Sequence, residues 1–131
     1  MPSMTTEAAD VYRQMYTMVT SHWIPQVVRA AVDLCLADHL TEGGLTSDEV
    51  AQREDSAPGT TFRLMRACVA LGLLTADKEG RFHRTPLLET LRKDAPGSLR
   101  GLALATTLPA QWLTWNEFTA SVRRGRTQVS G

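Results

Sequence analysis

Several features that mark specialised classes of protein are scarce or missing in this sequence. The 131 residues carry 14 basic and 14 acidic side chains, so the net charge is zero. Composition therefore provides no general attraction to nucleic acid or to an anionic membrane. The segment MPSMTTEAAD has an early acid and no apolar run, and the uncharged stretch between Arg100 and Glu117 is too short and too polar to span a bilayer. We expect a cytoplasmic protein with one domain that buries its own core.

Residues for thiol and metal chemistry are also few. The only cysteines, Cys35 and Cys68, lie in apolar helical segments. This favours buried free thiols over the alternative, a disulfide between two helices. His22, His39 and His83 are far apart and have no paired ligand spacing, so we expect no metal site. The sequence also contains no Gly-x-Ser-x-Gly, Walker or Gly-x-Gly-x-x-Gly motif, and we assign no catalytic, cofactor-binding or metal residue.

The most informative stretch runs from Pro58 to Pro86. Its first part, PGTTFRLMRACVALGLL, predicts a helix, because proline favours the first helical position and Gly72 suits a left-handed C-terminal cap. Its apolar side chains recur at three- and four-residue spacing: Phe62, Met65, Cys68, Val69 and Leu71. Its second part, TADKEGRFHRTP, predicts a two-stranded hairpin that turns at Gly80. A helix followed by such a hairpin is typical of a winged helix-turn-helix.

Three helices are predicted before this stretch. The first covers Thr5 to Thr20, and the second covers about Pro25 to Leu40, which is apolar enough to be mostly buried. Thr46 and Glu49 have the spacing of a capping box, which predicts a short helix that ends near Glu54.

Three helices are predicted after the hairpin. The first begins at Pro86 and ends at Leu91, and Ser98 can cap the second. The last covers about Pro109 to Arg124, with Trp112, Trp115 and Phe118 along one face. We therefore expect a mainly α fold: a winged helix-turn-helix core with a small β-hairpin wing, flanked by N- and C-terminal dimerisation helices. Within a single domain of residues 1–131, these parts are an interlocking helix at about 1–24, the core at 25–86, and C-terminal helices with a linker at 87–131.

Three phrases, in this order, carry a resemblance to a known family: ADHLTEGGLTSDEVAQRE, TTFRLMRACVALGLLTADKEGRFHRTPLLETLRKDAPGSLRGLAL and PAQWLTWNEFTASVRRG. Together they resemble the N-terminal dimerisation domain of bacterial small-molecule O-methyltransferases. These enzymes use S-adenosylmethionine and act in aromatic polyketide and related pathways. The final SVRRGRTQVSG is similar to a linker that leads to a catalytic domain absent from this chain.

The resemblance implies a homodimer in which each domain closes one side of its partner's substrate pocket. It implies that S-adenosylmethionine binds in the missing catalytic domain and that this chain alone binds no cofactor and transfers no methyl group. This chain would contact the aromatic substrate only as part of the full-length enzyme. The substrate-contact candidates are Met15, His22, Trp23 and Trp112. The dimer-interface candidates are Val11, Met15, Val19, Trp115 and Phe118.

Two alternatives to this interpretation remain. A DNA-binding transcriptional regulator would use basic residues on the helix and wing, namely Arg63, Arg66, Lys78, Arg81 and Arg84. Zero net charge and a helix with few base-reading side chains count against nucleic acid as a partner. The other alternative is a free-standing, non-catalytic dimerisation partner.

Overall fold

The computed structural model describes residues 5–125, which form a mainly helical fold with one small sheet. The α-helices are α1 (Thr6–Thr20), α2 (Trp23–Asp33), α3 (Leu36–His39), α4 (Ser47–Glu54), α5 (Pro58–Ala70), α6 (Pro86–Glu89), α7 (Arg100–Thr106), α8 (Pro109–Leu113) and α9 (Phe118–Arg124). A 3-10 helix, Thr114–Glu117, joins α8 to α9. The strands are β1 (Leu45–Thr46), β2 (Leu74–Ala76) and β3 (Arg81–Arg84). Most of the predicted linker, residues 126–131, lies outside the described residues.

The helix boundaries follow local capping chemistry. The Thr46 hydroxyl accepts a hydrogen bond from the Glu49 N–H at 3.2 Å, and the Glu49 carboxylate accepts one from the Thr46 N–H at 3.0 Å. This confirms the predicted capping box. Helix α5 begins at Pro58 and is followed by Gly72 at φ +80°, as the sequence predicted.

The sheet has three antiparallel strands in the order β1-β3-β2. Leu45 of β1 faces Phe82 of β3, and Leu74 of β2 faces Arg84. The predicted hairpin is thus present and turns through Gly80 at φ +80°, but it is not limited to two strands. The third strand arises because the backbone just before α4 pairs with the outer edge of β3.

The hydrophobic core lies between helices α2 to α6 and the sheet. Its fully buried side chains are Leu36, Leu40, Val50, Met65, Cys68, Leu74 and Leu88. Phe62 was predicted on the same apolar face as Met65 but is 45% exposed. It lies at the edge of that face, where its ring meets Phe82 edge-on with centroids 6.3 Å apart.

Two predicted helices are interrupted. The helix expected at 25–40 divides into α2 and α3 because Cys35 adopts the left-handed conformation, with φ at 52°. The helix expected at 109–124 is broken by the 3-10 turn at Thr114–Glu117. No helix within the described range 5–125 has the length and apolar character needed to cross a membrane.

Candidate dimer interface

Helix α1 has an apolar surface that no other part of residues 5–125 covers. Six large apolar side chains are each 57% to 70% exposed: Val11, Tyr12, Met15, Tyr16, Met18 and Val19. Among its fifteen residues none is buried. Val11, Met15 and Val19 follow one another at four-residue spacing, so they lie along one side of the helix. Large contiguous apolar patches on soluble proteins mark interaction surfaces.

A second exposed apolar surface lies on the C-terminal segment. Trp115 is 67% exposed, and Phe118, Leu113 and Val122 are also exposed. The rings of Trp115 and Phe118 are tilted at 59° with centroids 5.4 Å apart, so they form one joint aromatic surface. Like α1, this segment exposes side chains whose burial would stabilise an assembly.

The substrate-contact candidates occupy two places in the chain. His22 lies in the two-residue turn between α1 and α2, and Trp23 is the first residue of α2, so both follow the helix that carries Met15. His22 is exposed, and Trp23 is 38% exposed. Trp112 is half-buried in α8, and its ring does not form an aromatic pair with Trp23 within residues 5–125.

Hydrogen bonds that the sequence did not predict connect α2 to the end of α7. Arg29 Nη1 donates to the backbone oxygen of Leu104 at 3.2 Å and to the Thr107 hydroxyl at 3.0 Å. Arg29 Nε also donates to Asp33 at 3.0 Å. The guanidinium therefore binds a carbonyl in the last turn of α7, which also accepts from the Thr107 hydroxyl at 3.3 Å, just before the C-terminal segment begins. No local sequence signal could have found a contact between residues 75 or more positions apart.

Three of the five basic residues predicted for the DNA-binding alternative interact with other groups of the chain. Arg84 pairs with Glu89 at 2.7 Å, and Arg81 donates to the Gly44 carbonyl at 3.3 Å. The Arg66 guanidinium lies 5.9 Å from the centre of the Phe62 ring. Arg63 and Lys78 are exposed. This distribution leaves a smaller basic surface than the sequence alone indicates.

A polar cleft of about 620 Å³ lies beside the loop at residues 41–44. His39 borders it, but its Nε2 pairs with Glu54 Oε2 at 2.5 Å rather than with the adjacent Asp38. Among the residues that the structure describes, no three His, Cys, Asp or Glu side chains form a metal-binding group. The cleft is lined by both acidic side chains and arginines, so its charge favours neither anionic nor cationic ligands.

The two cysteines are free thiols in different surroundings. Cys68 is fully buried in the core, and this burial raises the pKa of its thiol to about 11. Cys35 is half-buried between α2 and α3.

Comparison with known proteins shows which proteins this chain is related to. A family model described as "O-methyltransferase dimerisation domain" matches residues 16–94. Acetylserotonin O-methyltransferase of Rattus norvegicus is 32% identical over 130 residues, which cover 98% of this chain and 30% of that protein. The 2,7-dihydroxy-5-methyl-1-naphthoate 7-O-methyltransferase of Streptomyces carzinostaticus is 34% identical over 103 residues, which cover 78% of this chain and 31% of that protein.

A solved structure agrees with these relatives. It is that of NcsB1, an O-methyltransferase from neocarzinostatin biosynthesis in complex with S-adenosyl-L-homocysteine. It is similar with a TM-score of 0.68 at 31% identity, over 84% of this chain and 37% of that chain. This chain thus spans about 30% of the length of the two curated relatives. On the match to residues 16–94, the chain belongs to the O-methyltransferase dimerisation domain family.

Proposed function

We propose that this chain forms a homodimer and closes the substrate pocket of an S-adenosylmethionine-dependent O-methyltransferase that acts on an aromatic natural-product intermediate. The observation that carries this proposal is the unpartnered apolar side of α1. Val11, Met15 and Val19 are all more than half exposed on a helix that buries none of its residues. A second copy of the chain would cover these side chains, and obligate interfaces of this kind commonly bury more than about 2,000 Å².

We also propose a winged-helix organisation for the core at residues 25–86. Helices α4 and α5 follow one another, the β2–β3 hairpin comes directly after α5, and β1 completes the sheet. This is the element order of a winged helix, and it leaves residues 1–24 and 87–131 as flanking parts. In this proposal the winged helix serves as a rigid support for the two exposed apolar segments.

The cofactor would bind outside the described residues. The strands described here are two to four residues long and antiparallel. A nucleotide-type cofactor is usually held where parallel strands lead into helices, and residues 5–125 contain no such unit. These residues therefore do not fit S-adenosylmethionine. The complex of NcsB1 with S-adenosyl-L-homocysteine supports a cofactor site elsewhere in a longer enzyme.

The substrate class is inferred from the relatives and from the side chains near α1. The two curated relatives are named for a naphthoate and for acetylserotonin, both aromatic. Trp23 and Trp112 each offer a ring on which an aromatic acceptor can stack, and the exposed His22 can hydrogen-bond to a phenol. Together with Met15, these residues are our proposed contacts to the substrate in the full enzyme.

The substrate proposal can be tested in the longer enzyme that carries this domain. We expect Trp112→Ala and His22→Ala to raise KM for the aromatic acceptor about tenfold, because each removes a contact to bound substrate. Arg63→Ala, a change at an exposed position on α5, is the matched control and should leave KM unchanged. If KM is unchanged in both Trp112→Ala and His22→Ala, this domain does not contact the substrate.

A further inference from the structure

Arg29 is a half-buried side chain that joins α2 to the last turn of α7. Its Nη1, which has two N–H groups, donates to the Leu104 carbonyl at 3.2 Å and to the Thr107 hydroxyl at 3.0 Å. Its Nε donates to the Asp33 carboxylate at 3.0 Å, one turn further along α2. Because the guanidinium is planar and rigid, these three hydrogen bonds fix the end of α7 relative to α2.

The Thr107 hydroxyl is suited to receive this contact. The residue is only 7% exposed, and its hydroxyl donates its own hydrogen to the Ala103 carbonyl at 2.8 Å. Its oxygen lone pairs are then available to accept a hydrogen bond from Arg29, which can only donate. Thr107 is also the C-cap of α7, and the backbone of Leu108 after it is extended, with φ −60° and ψ 144°. The chain therefore changes direction at the place where Arg29 binds.

Helix α8 depends on this junction for its position. It begins at Pro109, just after the change of direction, and buries none of its residues. Within residues 5–125 it packs chiefly on α7 and on the 3-10 helix, which are its neighbours in the chain, whereas α2 packs along α7. The position of Trp112 on α8 relative to Trp23 on α2 is thus transmitted through the end of α7, not through extensive packing of α8 on α2.

We propose that Arg29 is a positioning residue for the aromatic acceptor, because it sets the separation of Trp23 and Trp112 by holding the end of α7 against α2. This inference rests on the proposed function for its effect on the substrate, and Arg29 itself does not touch the substrate. Without these hydrogen bonds α8 would take several directions, and the two rings would fit the acceptor in only part of the population. The acceptor would then bind more weakly, while binding of the methyl donor would not change.

Substitutions at Thr107 provide a matched series. Thr107→Val replaces the hydroxyl by a methyl group and removes the acceptor for Arg29, whereas Thr107→Ser keeps a hydroxyl. Thr106→Val is the control, because the Thr106 hydroxyl is exposed and donates to the Leu102 and Ala103 carbonyls of its own helix. Arg29→Lys keeps the positive charge but cannot reproduce the planar set of donors.

The position of α8 can be measured in this chain without any enzyme assay. In a Cys35→Ser background, spin labels attached through Gln26→Cys on α2 and Gln111→Cys on α8 occupy two exposed positions. Cys68 is fully buried, so labelling is confined to the two introduced thiols. Double electron–electron resonance then gives the distance between the labels, and dilution with unlabelled chain removes distances between copies.

The label distances test the geometric part of the proposal. We expect one narrow distribution for the doubly labelled chain, for Thr107→Ser and for Thr106→Val. Thr107→Val and Arg29→Lys should give a broader or shifted distribution, and circular dichroism would check that both remain folded. Identical distributions in Thr107→Val and Thr106→Val would overturn the proposal, whatever the kinetics show.

Kinetics of the longer enzyme that carries this domain test the effect on the substrate. Thr107→Val and Arg29→Lys should raise KM for the aromatic acceptor about five- to tenfold and leave kcat and KM for S-adenosylmethionine within about twofold. Thr107→Ser should restore KM for the acceptor. General damage to the domain would instead lower kcat through the fraction of active enzyme and leave both KM values unchanged.

The outcomes separate this proposal from the proposed function. A raised KM in Trp112→Ala with a normal KM in Thr107→Val would overturn the role of Arg29 and leave the proposed function intact. An unchanged KM in both Trp112→Ala and His22→Ala would overturn both, because no substrate contact would then remain for Arg29 to position. A raised KM in Trp112→Ala and Thr107→Val, with a normal KM in Thr107→Ser, supports the proposal.

Discussion

The imidazole ring of His83 lies directly against the backbone of Gly44. A β-carbon at residue 44 would come within 2.4 Å of His83 Cε1, closer than any real side-chain contact allows. The ring cannot simply move away, because His83 Nε2 is hydrogen-bonded to Asp77 at 2.7 Å. The same carboxylate accepts hydrogen bonds from the backbone N–H groups of Glu79 and Arg81, each at 2.9 Å. Gly44 therefore permits a contact that joins the loop before β1 to the hairpin.

Gly44→Ala should destabilise the domain by about 1–3 kcal/mol, the usual cost of forcing atoms into a packed site. Urea unfolding followed by circular dichroism would measure it. Gly101→Ala is the matched control, because a β-carbon there meets nothing within 4 Å and the residue lies in α7. The control should leave the free energy of unfolding unchanged or raise it slightly. Equal stability of the two variants would mean that the His83 ring is free to move.

Stability should depend on pH through Asp77. The hydrogen bond from His83, followed by that from the Arg81 N–H, holds the pKa of the Asp77 carboxyl below its ordinary value of 3.8. Because the folded-state pKa is lowered, the stabilisation is present above that ordinary value and is lost as pH falls through the folded pKa. We expect the urea midpoint of Asp77→Asn to lie below that of the unmodified protein at about pH 6 and to approach it below about pH 3. A constant difference across this range would contradict the assignment.

The two thiols should differ sharply in reactivity. Because burial raises the pKa of Cys68 to about 11, almost no thiolate forms there near neutral pH. We expect a thiol reagent such as iodoacetamide to label only Cys35 in the native protein and both cysteines after unfolding. Mass spectrometry of the labelled protein would count the sites. Cys35→Ser is the control, and labelling of its remaining thiol under native conditions would show that the core opens readily.

Local signals predicted most of the helices and the hairpin, but not the interruptions between them. The capping box at Thr46 and the turn at Gly80 depend on neighbouring residues, so they can be recognised in the sequence. The break at Cys35 has no glycine or proline to mark it, and the apolar spacing continues through it. Strand β1 depends on pairing with Phe82, 37 residues away from Leu45, and no local pattern records that contact.

The sequence predicted which residues of α1 form an apolar stripe, but not whether that stripe is exposed. The apolar spacing of α1 identified Val11, Met15 and Val19, but periodicity alone cannot distinguish a core-facing stripe from an exposed one. Only the structure shows that α1 buries nothing while α5 buries Met65 and Cys68. An apolar groove of about 440 Å³ where α2 meets α7 could not be predicted, because its walls come from segments between Ile24 and Thr106 that meet only in the fold.

Charge placed on either exposed apolar segment should disrupt assembly. We expect Met15→Asp and Trp115→Asp to raise the dissociation constant of the dimer about 10- to 100-fold, since each would bury an unpaired carboxylate at the interface. Both residues are more than half exposed in the single chain, so folding of the core should be retained. Circular dichroism would check folding, and sedimentation velocity would check mass. Arg63→Asp on α5 serves as the control, and a dimer as tight in Met15→Asp as in this control would remove α1 from the interface.

The most direct measurement is the mass of the unmodified chain in solution, determined by sedimentation equilibrium over a wide range of concentrations. Two copies per particle, with dissociation only at high dilution, is the result expected if the exposed sides of α1 and of the Trp115 segment exist to be covered by a second copy. A single copy per particle at every concentration would contradict the account, because those apolar side chains would then have no partner.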